Sequence, residues 1–165
     1  MHSMVFSSTR PGLSASQVQA LDSQLGGGLS NDYKAFLSVF NGGVPELGYF
    51  YADWLGEDLW IDWFCWVDEN LAAPVHCAEY DSLSFARYKY SGMVPEDTLI
   101  IGRCCRDDLL LLGLAGARHG QVLYKDIAHL PGGDRAVWRE RKDDLVSSLA
   151  GSFGAFLKCL KDEED

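Results

Sequence analysis

The sequence contains no apolar run approaching the roughly 20 residues that a membrane-spanning helix needs. Nor does it open with the basic start and long apolar segment of a secretory signal, so a cytoplasmic protein is expected. There is no C-x-x-C pair; Cys65, Cys77, Cys104, Cys105 and Cys159 form an odd set. Adjacent Cys104 and Cys105 point to opposite faces if they sit on a strand, which disfavours a shared metal. Reduced, partly buried thiols are expected, rather than a disulfide framework or a zinc site.

Catalytic signatures are missing as well. Gly26-Gly27-Gly28 follows a helical pattern and Gly42-Gly43 ends one, so neither is a phosphate-cradling loop, which must open a helix after a strand. There is no G-x-S-x-G or H-E-x-x-H. His76 lies beside Cys77, but neighbouring side chains on an extended chain diverge, and His119 and His129 read as solvated loop residues. With 24 acids in 165 residues, chance carboxylate pairs such as Glu57-Asp58, Asp68-Glu69 and Asp107-Asp108 carry little information. Neither an enzyme nor a cofactor is expected.

The most telling absence is of positive charge. No Lys or Arg occurs between Lys34 and Arg87, while that interval holds Glu46, Asp53, Glu57, Asp58, Asp62, Asp68, Glu69, Glu79 and Asp81. It also holds Trp54, Trp60, Trp63 and Trp66, four of the five tryptophans. The net charge of −10 argues against nucleic acid and against anionic membranes, because both are bound through Lys and Arg. A basic protein partner is permitted. Amphipathic aromatics among acids suit a protein-binding patch, in which the aromatics anchor and the charges steer. The competing account makes the tryptophans core and the acids merely solvated. Core packing is expected of Trp63, and either account fits Trp54 and Trp60.

What is present fits one domain with a substantial core. The stretch from Asn31 to Gly43 organises it. Tyr33, Phe36, Leu37 and Phe40 recur at i, i+3, i+4 and i+7, so they share one helical face, with Ser30 or Asn31 as cap and Gly42-Gly43 as stop. Before it, Ser14 and Gln17 have capping-box spacing, followed by Val18, Leu21 and Leu25. Residues 1 to 12 read as a loosely held lead-in. Gly48 to Leu55 and Leu59 to Val67 read as strands joined by a Gly56-Glu57-Asp58 turn. In the second, Leu59, Ile61, Trp63, Cys65 and Val67 share an apolar face. A short helix is expected over Ser82 to Tyr90. Strands at Thr98 to Arg103, Asp108 to Leu114 and Gln121 to Asp126, with short connections, predict an antiparallel meander. His129 to Lys142 reads as a surface loop. Leu145, Leu149, Phe153, Phe156, Leu157 and Leu160 predict a closing helix. The fold class is α+β: a single domain whose central, mostly antiparallel sheet is flanked by two N-terminal helices and one C-terminal helix.

Several of these segments resemble the SUKH superfamily. A leucine, a turn residue, Asp32-Tyr33-Lys34, Phe36-Leu37 and Asn41-Gly42-Gly43 look like its N-terminal signature. Val94-Pro95-Glu96-Asp97 before Leu99-Ile100-Ile101-Gly102 resembles its proline-led entry to a central strand. Asp107-Asp108 before the leucine run resembles its Gly-Asp hairpin, with Arg106 where glycine is usual. Gly120-Gln121-Val122-Leu123-Tyr124-Lys125-Asp126 resembles a Gly-x-Val-Tyr-x-Trp-Asp-His strand without its Trp and His. Leu149 to Leu160 resembles the closing helix.

The resemblance divides the chain into a lead-in at 1–12, a SUKH-like domain at 13–161 and an acidic tail at 162–165. It implies an immunity-type protein without catalytic activity, which binds and neutralises a cognate toxin, often a basic nuclease, in a bacterial polymorphic or contact-dependent toxin system. The alternative it implies is a regulatory or scaffolding protein like the yeast cell-wall-assembly regulator. The partner-binding residues expected are Asp53, Trp54, Glu57, Asp58, Trp60, Asp62, Asp68, Glu69, Glu79 and Asp81.

Overall fold

The computed structural model describes residues 4–67, 79–129 and 134–163. Helix α1 spans Ala15–Gln24 and starts from the expected capping box: the Ser14 hydroxyl accepts from the Gln17 N–H, and the Gln17 side chain accepts from the Ser14 N–H. Gly26 and Gly27 end it at φ +81 and +80, a region costly for any residue with a Cβ. Helix α2 spans Asn31–Val39 and buries Tyr33, Phe36 and Leu37.

Three polar groups lock α2 in place. Lys34 pairs with the buried Asp22 of α1, which also accepts the Leu29 N–H at 2.9 Å. Asp32 accepts the N–H of Gly154, near the far end of the chain, at 2.7 Å. So the Asp-Tyr-Lys run is structural, with one residue for each neighbour. Phe40 leaves the helix, because α2 stops before the glycines and the chain turns extended.

Four two-residue strands follow from that turn: β1 (Phe6–Ser7), β2 (Arg10–Pro11), β3 (Phe40–Asn41) and β4 (Val44–Pro45). β1 pairs with β4 and β2 with β3, both antiparallel. Within the segment expected to be a loose lead-in, residues 6–7 and 10–11 are therefore paired, and Phe6 enters the core, its ring 5.4 Å from Phe36 and 5.8 Å from Phe64. The sequence concealed this because two-residue strands carry no periodicity.

The central sheet holds β5 (Tyr49–Ala52), β6 (Glu57–Phe64), β7 (Thr98–Cys104), β8 (Leu109–Gly113), β9 (Val122–Lys125) and β10 (Val146–Ala150). Neighbours in space are neighbours in sequence, and every pairing is antiparallel. The meander expected of three strands thus runs through six. The β5–β6 turn occupies 53–56 rather than 56–58, with the Gly56 N–H bonded to the Ala52 carbonyl at 2.9 Å. Helix α3 (Leu83–Lys89), capped by Ser82, matches expectation. Helix α4 (Arg135–Glu140) lies within the stretch expected to be a surface loop.

The closing helix is the main correction. Residues Val146–Ala150 form β10, and only Phe153–Lys158 form helix α5. Leu145 at φ +53 breaks the chain before β10, and Gly151-Ser152 separates it from α5, where the Ser152 hydroxyl accepts from the Ala155 N–H. Leu145, Leu149 and Phe153 have helical spacing, but β9 offered an unpaired edge, and four residues of β10 (Val146, Ser147, Ser148 and Ala150) pair with it, which also satisfies the edge groups of β9.

The sheet is strongly coiled. Four strand spacings of about 4.8 Å would set β5 and β9 roughly 19 Å apart in a flat sheet. Yet the ring of Phe50 on β5 stands 6.2 Å from that of Tyr124 on β9. Register shifts in the β6–β7, β7–β8 and β9–β10 pairings add the twist this requires. Helix α5 lies across the mouth of the curl and places Phe156 5.7 Å from Phe50. Cys65, Cys104 and Cys105 are buried free thiols and Cys159 is an exposed one; burial pushes the Cys65 thiol up to about 12. Cys77 and His76 lie outside the described residues.

Candidate functional site

Alternation along β5 and β6 sends Phe50, Ala52, Leu59 and Ile61 into the core. It therefore presents Tyr49, Tyr51, Asp58, Trp60 and Asp62 on the opposite, outward face. Register sets Tyr49 opposite Trp60 and Tyr51 opposite Asp58, and the Tyr49 and Trp60 rings lie 6.0 Å apart. The Trp60 indole N–H donates to Asp62 at 3.1 Å. Partial burial nevertheless pushes the Asp62 carboxyl up, against that bond and the nearby Arg103 charge. The turn at the hairpin tip adds exposed Asp53, Trp54 and Leu55. Trp54 rests one side on Tyr124, with ring centroids 5.4 Å apart, and stays 38% exposed; Trp60 is 43% exposed. Both tryptophans left open by the sequence are surface groups.

Trp63 is not a core residue. The β6–β7 register slips between Ile61 and Trp63, so Asp62 is an extra residue and the alternation changes phase. Phe64 takes the core position and Trp63 turns outward, against Tyr80 at 5.4 Å and the Arg103 guanidinium at 5.7 Å. A bulge has no reliable sequence signal, and one extra residue is enough to exchange the two faces.

Glu79 and Asp81 form a separate group at the other end of β6. The Trp66 indole donates to Asp81 at 2.9 Å, while Arg10 stacks over Trp66 at 3.7 Å and pairs with Glu79. Nine residue steps at about 3.3 Å put Trp66 roughly 30 Å from Glu57 along an extended chain. The expected residues thus fall into a hairpin group (Asp53, Trp54, Glu57, Asp58, Trp60, Asp62) and a distant pair. Asp68 and Glu69 lie outside the described residues.

The acids are also less bare than the charge gap suggests. Glu57 pairs with Arg106 at 3.2 Å and Asp58 with Lys161 at 3.0 Å. The cations Arg10, Arg106 and Lys161 all come from outside the cation-free interval, and Lys161 crosses 103 positions to reach Asp58. Sequence reasoning missed them, along with Tyr49 and Tyr51, because pairing at such separation leaves no local pattern. Among the described residues, Asp53 has no ion pair. No group of three or more His, Cys, Asp or Glu among them converges as metal ligands would.

Compared with known families, residues 12–159 match the SMI1/KNR4 family (SUKH-1). No curated protein matches the chain.

Proposed function

Because the chain belongs to the SMI1/KNR4 family (SUKH-1), which supports an immunity-type or SMI1-like protein, we propose that it is a cytoplasmic immunity protein without catalytic activity. Its target is a cognate, basic, nuclease-like toxin domain of a bacterial polymorphic or contact-dependent toxin system. The observation that carries this reading is the β5–β6 hairpin, whose outward face sets exposed Tyr51 and Trp60 beside Asp58 and Asp62, and whose tip adds exposed Asp53, Trp54 and Glu57. Aromatics with two rotatable bonds anchor an interface at low entropic cost, and surrounding acids attract a cationic surface and speed encounter. A toxin that binds polyanions presents such a surface.

The test uses the whole chain as tagged bait in lysate of the native organism, beside a variant with Asp53, Glu57, Asp58 and Asp62 changed to Lys. Wild type is expected to retain a stoichiometric basic protein that high salt releases, and the variant to lose it, with slower association in purified form. Equal retention by both would place the site elsewhere. Retention of several unrelated cellular proteins would favour the regulatory alternative.

A further inference from the structure

β5 and β10 are the two edge strands of the sheet, yet the coil brings them to opposite sides of one groove. Its volume is about 330 Å3. Buried Phe50 and Phe156 form the floor, Leu149 of β10 one wall, and Tyr51 and Asp53 the exposed rim beside Lys161. The groove therefore opens next to the hairpin tip that carries Trp54 and Leu55.

Two features indicate an occupant. The first is charge. Lys161 is already engaged by Asp58, and Glu57 by Arg106, so Asp53 is the one rim carboxylate without an ion pair among the described residues. The second is backbone. Tyr49 exchanges both of its hydrogen bonds with Lys161, its N–H donating at 3.1 Å and its carbonyl accepting at 2.9 Å. In a strand the bonding direction repeats every second residue, so the N–H and C=O of Tyr51 point away from β6 in the same sense, past the end of the Lys161 pairing. They offer the next rung of a ladder to an incoming strand.

We propose that this groove receives an extended segment of the partner, which pairs with the Tyr51 backbone and lays the stem of one Arg or Lys over Phe50, Leu149 and Phe156 with its charge on Asp53. This rests on the reading of a basic protein partner and names the anchor it would use. Long cationic side chains suit such a groove because their methylenes cover apolar surface while the head stays at the wet rim. Lys161 at the rim is held by Asp58, so the free carboxylate of Asp53 beside the apolar floor selects a basic side chain over a neutral one.

The probe is the peptide acetyl-Thr-Val-Arg-Val-Thr-amide, titrated into 15N-labelled full-length protein and followed by amide shifts. Shifts are expected at 49–53, 149 and 159, with affinity falling at least tenfold for the Arg-to-Ala peptide and for Asp53→Asn. A peptide N-methylated along one edge is expected to lose binding, because it cannot pair with Tyr51. Asp53 is exposed and unpaired, so its amide variant keeps the fold. Shifts confined to Trp60, Asp62 and the Glu79–Asp81 group, or shifts indifferent to Asp53→Asn, would overturn the groove and leave the acidic-face reading standing. No shift anywhere at millimolar peptide would overturn the groove and count against that reading too.

Discussion

Asn41 binds Val67 with both ends of its side-chain amide: Nδ2 donates to the Val67 carbonyl at 3.1 Å, and Oδ1 accepts the Val67 N–H at 2.7 Å. The amide thus stands in for a strand residue and holds the chain just beyond β6, where both residues are buried. Both Val67 groups lose their partner in Asn41→Ala, which is expected to cost about 2–3 kcal/mol in urea unfolding. Asn41→Asp keeps the shape but loses the donor, and should be no more stable than the alanine variant.

The glycine after it is there for room. A Cβ on Gly42, at φ +74, would lie 2.7 Å from the Trp66 N, whereas one on Gly26, at φ +81, meets nothing within 4 Å. Both substitutions carry the left-handed backbone cost of about 1 kcal/mol. Only Gly42→Ala adds a clash with main chain. Thermal unfolding should therefore show a modest drop for Gly26→Ala and a drop at least twice as large for Gly42→Ala.

Acid should unlock the helical layer. Burial disfavours ionised Asp22, but the Lys34 side chain and the Leu29 N–H outweigh it and hold the carboxyl below its usual value. Asp32 is likewise held low, its burial outweighed by the Ser30 hydroxyl and the Gly154 and Tyr33 amides. Both native pKa values lie under the unfolded ones, so their stabilisation is complete above about pH 4 and fades as pH falls through the native values. Urea midpoints should decline over that window, and the decline should be smaller in Asp22→Asn.

The surface pairs should matter little to stability. Asp58→Asn and Glu57→Gln remove half-exposed ion pairs with Lys161 and Arg106. Each should shift unfolding by under about 1 kcal/mol, while both slow association with a cationic partner at low salt. A stability loss of several kcal/mol would mean that these acids serve the fold instead.

Leu145 is exposed at φ +53. Leu145→Gly should stabilise the chain by about 0.5–1 kcal/mol, because glycine adopts that backbone without strain.

Local and repeated signals were legible from the sequence. The Ser14–Gln17 cap, the Tyr33-Phe36-Leu37 face, the strand at Thr98 and the four-leucine run of β8 follow from bonds or periodicities spanning a few residues, so the α+β class followed as well. The motif Asn41-Gly42-Gly43 was visible, but its purpose was not, since Val67 and Trp66 lie more than twenty positions away. Other features depend on partners distant in sequence. β10 replaces a helix because β9 presents an edge; Trp63 turns outward because β6 bulges against β7; Asp58 is paired because Lys161 returns to it. The acidic, tryptophan-rich character of residues 53–81 belongs to the sequence alone. Which of those groups share a face, and which of the described carboxylates are left without a cation, was decided by the coil of the sheet, because side-chain neighbours across strands are set by register and curvature rather than by order along the chain.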